Sequence, residues 1–244
     1  MKKPLLTSAI LVFTLSTAWS QINLNDIGKK IENASNSVSG GQTGLSNQDI
    51  IKGLKEALTI GSKNSSDRAS KMDGYLKNPK IKIPFPKEAQ EMESSLRTVG
   101  MGPQVDKFVL TLNRAAEDAA KEAVPIFKDA VMKMTITDGM SILKGSDNAA
   151  TTYLKNATTA ELTAKFKPLI ANSMNKVQVT KYWNPLAKKY NQLPMARKVN
   201  PNLEDYVTKK AIEGLFVLVA EEEAKIRKDP SARVTDILKQ VFGH

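Results

Sequence analysis

The apolar positions of this chain repeat mostly with helical spacing. In "QDIIKGLKEALTIG", Ile50, Ile51, Leu54 and Leu58 share one face of a helix that Ser46 or Asn47 can cap. A second helix is expected over 66–76. "NPKIKIPFPKE" then breaks the period. Pro79, Pro84 and Pro86 forbid a helix, and Ile81, Ile83 and Phe85 alternate with Lys82 and Pro84. That is a short extended segment near 80–86 that lays three apolar side chains on the domain, with at most one minor strand pair.

After it the helical period returns. A helix over 87–100 closes at Gly100. Pro103 opens a long helical stretch over 104–134, interrupted or kinked at Pro125. Short helices follow over 137–145, capped by Thr137 or Asp138 and stopped by Gly145, and over 146–157. A helix over 158–177 begins with a capping box, because Thr158 or Thr159 precedes Glu161. Next come 179–194, with Pro185 early in it, and 200–229, the longest uninterrupted helix, ended by Pro230. A last helix over 231–243 closes the chain. Helix after helix with short connections predicts an all-α fold in one multi-helix domain over 47–244. No repeat recurs at a fixed period.

The two ends of residues 1–46 read differently from the domain. Lys2 and Lys3 precede an apolar run over 5–15, and Ala18 and Ser20 are small residues before Gln21. This is the layout of a secretory signal peptide over 1–20, cut before Gln21; a cut after Ala18 and an uncleaved anchor are the alternatives. The run is shorter than the roughly 20 residues a permanent span needs, and no later segment qualifies. Residues 21–46, which include "NASNSVSGGQTG", form a flexible tether with room for a short helix near 24–31. Removing Lys2 and Lys3 lowers the formal charge from +11 to +9. The expected product is an exported, periplasmic or secreted protein of a size suited to one domain. It has no cysteine, so neither disulfides nor a lipid-bearing cysteine is available.

Composition also limits the chemistry. The only histidine is His244, at the last position, so histidine-based acid–base and nucleophilic catalysis is not expected. With neither cysteine nor histidine in the domain, a zinc site is not expected. No phosphate-cradling glycine motif and no calcium loop occurs, so no cofactor and no metal are expected. The basic excess is spread along the chain without an RNA-binding signature, which argues against a nucleic-acid partner. Carboxylate, lysine, tyrosine or serine chemistry remains.

The carboxylates of "FVLVAEEEAKIRKDP" are not equivalent. With Leu215 as origin on a helical wheel, Ala211, Ile212, Leu218, Val219 and Ile226 lie within about 60°. Glu222 lies about 20° from the same line, Glu221 about 120° away, and Glu223 near the margin. One buried and two ordinary carboxylates are expected. A buried carboxylate needs a partner, and "LNRAAEDAA" offers one: Arg114, bonding Glu117 along its helix and Glu222 across to the neighbour. The group is either an ion-pair network that fixes helix register or a site for a cation or sugar. "KYWNPLAKKY" places Tyr182, Trp183 and Tyr190 among lysines, either as core or as a grip for sugars and anions.

The segments "DGYLKNPKIKIPFP", "LNRAAEDAA", "DGMSILKG", "AATTYLK" and "GLFVLVAEEEAKIRKDPSARVTDILKQVFG" resemble, over about 45–243, a bacterial exported family known as domain of unknown function four-one-nine-seven. The resemblance implies a helical, envelope-associated protein of Gram-negative bacteria and carries no activity. Its shared words contain Asn113, Arg114, Glu117, Glu222 and Arg227, which are the candidate ligand-binding residues; none is assigned a catalytic role. The leading expectation is a non-enzymatic protein that binds an envelope component or another periplasmic protein. The alternative is a carboxylate-based enzyme acting on an envelope glycan.

Overall fold

The computed structural model of the protein describes residues 46–176, 179–192, 194, 203–229 and 239. Among these residues there are eight α-helices, one short 3-10 helix and no strand. The helices are α1 (Asn47–Ser70), α2 (Gln90–Thr98, after the 3-10 turn Lys87–Ala89), α3 (Gly102–Ala120), α4 (Ala123–Lys133), α5 (Ile136–Lys144), α6 (Ala149–Lys176), α7 (Val179–Asn191) and α8 (Leu203–Lys228). The all-α expectation holds. Helix α8 packs on α1, α3 and α6, while α3 also meets α6 and α7.

Several boundaries differ from the sequence reading, each for a local reason. The two helices expected before residue 77 are one. Helix α1 starts from a Ser46–Asp49 capping box and continues through "GSKNSS". Ser65 and Ser66 bond back to the carbonyls of Gly61 and Ser62, and these small buried residues let α8 come close. The break in the long stretch falls at Lys121–Glu122 rather than Pro125, which sits in the first turn of α4, where a missing N–H costs nothing. Helix α5 is capped by Thr135, not Thr137 or Asp138; Asp138 is the far member of that capping box. The helices expected over 146–157 and 158–177 are also one, and at 28 residues α6 exceeds the 26 of α8. Thr158 and Thr159 spend their hydroxyls on the carbonyls of Leu154 and Lys155, so no capping box forms there. The last expected helix, over 231–243, lies outside the described residues apart from Lys239; the segment 1–20 lies outside them, and so does 21–46 apart from Ser46.

The extended segment behaves as its period predicts. Ile81, Ile83 and Phe85 are buried, and Lys82 and Pro84 are exposed. No strand pair accompanies it among the described residues. Phe85 meets Phe108 of α3 and Trp183 of α7, with ring centroids at 5.0 and 5.8 Å, and Phe108 stacks on Trp183 at 4.9 Å. Trp183 and Tyr190 therefore belong to the core; the side chain of Tyr182 lies outside the description. Each such aromatic buries enough apolar surface to contribute on the order of 1.5–3 kcal/mol. That interaction places the segment between α3 and α7.

Candidate functional site

The turn that follows α1 is unusually constrained. Asp73 adopts a left-handed backbone, φ 67°, the one non-glycine residue to do so among those described. The next residue must be glycine. A Cβ on Gly74 would lie 2.4 Å from the carbonyl oxygen of Arg68 and 2.6 Å from that of Ala69. The chain folds back against the end of its own helix here, and then Tyr75 enters the core. Tyr75 is fully buried, and its hydroxyl donates to the carbonyl of Ala211 in α8 at 2.6 Å. Burial, reinforced by nearby Glu117, pushes the phenol far above its ordinary range, so it stays protonated.

Arg114 and Glu117 of α3 hold this turn in place. The guanidinium donates to Glu117 at 2.5 Å and to Asp73 at 2.7 Å. The other Glu117 oxygen accepts the backbone N–H groups of Tyr75 and Leu76, at 3.1 and 3.3 Å. Lys77 completes the group at 2.8 Å from Asp73. The Lys77 and Arg114 hydrogen bonds hold the Asp73 carboxyl below the usual aspartate range, and the Glu117 bond strengthens the charge on Arg114. Asn113, one residue before Arg114, faces a different part of the same segment. Its Oδ1 accepts from the N–H of Ile83 at 2.8 Å, and its Nδ2 donates to the carbonyls of Ile83 and Val109 at 2.9 and 2.8 Å.

Glu222 does not meet Arg114. Its partner is Arg68, near the end of α1, at 3.1 Å, with Lys225 at 2.7 Å and Asn64 at 3.3 Å. The expected link fails because α8 presents this face to α1, whereas Arg114 reaches toward the turn at Asp73. The other two glutamates also depart from the wheel. Glu221 is not simply solvated: Arg68 and Lys80 bind its two oxygens at 2.8 and 2.7 Å, and Lys80 leads in holding its carboxyl below the usual range. Glu223 is as buried as Glu222. One of its oxygens accepts from the N–H of Ala150 and from Arg227, both at 3.0 Å. The other accepts from the N–H and hydroxyl of Thr151 at 2.8 and 2.7 Å. A carboxylate from α8 thus caps the first turn of α6, taking the N–H groups of Ala150 and Thr151. Arg227 reaches on to the carbonyl of Ile142 at 3.1 Å, tying α5 to the same corner.

The five candidates therefore fall into separate groups. Asn113, Arg114 and Glu117 fasten the segment 73–83, Glu222 fastens the helix end that leads into it, and Arg227 belongs to the cap on α6. Arg68, Asp73, Tyr75 and Glu223 are the partners that sequence reasoning missed. The Asp73–Gly74 dipeptide is a turn signal and was the one local clue to them. Glu222 and Glu223 also border a cavity of about 30 Å³ between α1, α6 and α8, among Ala57, Gly61, Ser62 and Ile226. That is room for one or two waters. Glu117 is not on its wall. Among the described residues, no group of three or more histidine, cysteine or acidic side chains is placed to hold a metal ion.

A family model described as a protein of unknown function, DUF4197, matches residues 44–243. Among curated proteins and among solved structures, no match was found.

Proposed function

The chain belongs to the DUF4197 family, and from that premise we propose that it is an exported, non-enzymatic helical protein that acts in the bacterial envelope by binding. In this reading, residues 1–20 direct export, 21–46 tether the domain, and the domain carries an interaction surface rather than a reaction centre. The observation that carries it is the use made of the buried polar groups. The side-chain oxygens of Asn113, Glu117, Glu222 and Glu223 all accept hydrogen bonds from the protein's own donors. A general acid or nucleophile needs at least one such atom turned toward a substrate. The glycan-enzyme alternative is weaker on two counts. Glu117 and Glu222 stand in different networks, and the cavity beside Glu222 is far smaller than a sugar ring.

The test is made on the native protein. The cell is fractionated, the mature N-terminus is read by mass spectrometry, and proteins and small molecules that co-purify are identified. An N-terminus at Gln21 in the exported fraction, with a recurrent partner or lipid, supports the reading. A cytoplasmic chain that retains Met1 overturns it, and so does a processed glycan fragment that turns over in the presence of the pure protein.

A further inference from the structure

Two buried side chains, Asn113 and Glu117, together with the half-buried Arg114 and Glu221, serve one segment of chain. Arg114 binds Asp73, Glu117 binds the backbone of Tyr75 and Leu76, Asn113 binds Ile83, and Glu221 binds Lys80. Tyr75, Ile81, Ile83 and Phe85 anchor the same segment in the core. Burying Asn113 and Glu117 is costly, and bonding both to this segment gives it a defined local shape. What the segment shows to the outside is then the informative feature. Residues 71–86 contain four lysines and a single acid, Asp73. Lys71, Lys77, Lys80 and Lys82 are all exposed. Two of them, Lys71 and Lys82, have no ion-pair partner among the described residues, and Lys77 and Lys80 give theirs only to the groups that hold the segment. Beside Lys71 stands Met72, 82% exposed, the most exposed large apolar side chain described. Lys77 and Lys82 also edge a surface groove of about 490 Å³, whose lining includes Leu76 and Pro84 and also Arg97 with Glu93 and Asp106.

We propose that the segment 71–86 is a docking surface for an anionic phospholipid membrane. This deepens the envelope reading above and rests on it. Exposed lysines and an exposed thioether on one segment suit a bilayer surface, where ammonium groups sit among phosphates and a thioether enters the interface. A single-stranded nucleic acid would want an aromatic face on which to stack its bases, but Tyr75 and Phe85 are buried. Rigidity contributes as well, because a segment already fixed loses little freedom on docking.

The experiment uses the full mature chain and sedimentation with vesicles of phosphatidylcholine alone or with one-third phosphatidylglycerol. Binding is expected only to the anionic vesicles, and it should weaken strongly between about 0.02 and 0.5 M salt. Each lysine near such a surface is worth about fivefold in partitioning, so Lys71→Gln with Lys82→Gln should reduce binding roughly 20- to 30-fold. The melting temperature should not change, since neither side chain has an ion-pair partner among the described residues. Lys155→Gln with Lys165→Gln, the same charge change on exposed positions of α6, is the control. A Met72→Trp variant should show a blue-shifted emission on anionic vesicles. Equal loss from the control pair overturns the proposal in favour of diffuse charge. Equal binding to pure phosphatidylcholine overturns it, as does displacement by about 10 mM inorganic phosphate at constant ionic strength, or binding to duplex DNA as tight as to vesicles. An exported chain that ignores anionic vesicles sinks the docking surface and leaves the envelope reading standing.

Discussion

Asn113 grips Ile83 by both of its peptide groups, accepting from its N–H at 2.8 Å and donating to its carbonyl at 2.9 Å. A neighbouring strand would make the same pair of bonds, so one side chain on α3 stands in for a sheet. The sequence period of two around Ile83 is satisfied without a second strand. Asn113→Ala leaves the N–H and carbonyl of a buried residue unpaired, at about 1–3 kcal/mol for each group. Asn113→Asp should be as damaging, because it turns a carboxylate oxygen toward the carbonyls of Ile83 and Val109, which now receive a donor. Chemical denaturation of the two variants checks this. An Asp variant close to the native protein in stability would show that the side chain is not bonded as described.

The contrast between two glycines tests the turn. Gly74→Ala would drive a Cβ into the backbone oxygens of Arg68 and Ala69. Backbone has little room to yield, so the loss should reach or exceed the top of the usual overpacking range of about 1–3 kcal/mol. At Gly61 a new Cβ meets Glu222 Cβ at 3.4 Å, an ordinary contact. There alanine also gains up to about 1 kcal/mol of helix propensity, so Gly61→Ala should be neutral or stabilising. Thermal melts of the two variants should move in opposite directions or differ by many degrees.

How far the chain could be read without its structure follows from what each feature depends on. Ile81, Ile83 and Phe85 were legible because alternation is a local property. Ser46 was legible because a cap acts within four residues. Glu222 was legible as buried, since a wheel sees faces. Its partner was not, because Arg68 lies on another helix and pairwise contact depends on how α1 and α8 cross. Glu223 was misplaced for a related reason. A wheel assigns burial by distance from the apolar stripe, and it cannot see that the open N-terminus of α6 attracts a carboxylate at the margin. The joins at 61–66 and at Thr158 were missed because small and hydroxylated residues look like breaks locally, whereas in contact with α8 or with their own carbonyls they fit a continuous helix.

The acid and alkaline limbs of stability should have separate origins. Asp73 and Glu221 titrate lower in the folded protein than unfolded, owing first to Lys77 and Lys80 respectively. A group with a depressed folded pKa contributes fully above its unfolded value and loses that contribution as pH falls through the folded one. The melting temperature should therefore be flat from about pH 8 to 5 and fall below about pH 4. Asp73→Asn should start lower and fall less steeply. Tyr75 has the opposite sign: its phenol is raised, so its contribution is complete at neutral pH and is lost as pH rises beyond about 10. Tyr75→Phe should flatten that alkaline limb while losing the bond to Ala211. Melting curves across pH for the three proteins measure both limbs.

The three consecutive glutamates of α8 should rank 223, 222, 221 in the cost of replacement by alanine, an order their sequence neighbourhood does not suggest. Glu223 is enclosed with Arg227, with 6% and 15% of the two side chains exposed. Removing it breaks a buried pair and uncaps α6, which should cost about 3–5 kcal/mol. Glu222 is also enclosed, but Arg68 retains Glu221 when Glu222 is gone, and Lys225 is half in water. A charged hydrogen-bond loss of about 1.5–3 kcal/mol is expected. Glu221 pairs with side chains that are 37% and 67% exposed, so its removal should cost about 1 kcal/mol or less. Glu223→Gln sharpens the comparison. The amide still offers an oxygen to the first turn of α6 but loses the charge that Arg227 faces, so it should recover part of the loss. Urea midpoints for the four variants test the order. Should Glu221→Ala prove the worst, the enclosed cap on α6 would not be the strongest of the three attachments. A Gln variant no better than Ala would assign the loss to the missing charge instead of the missing cap.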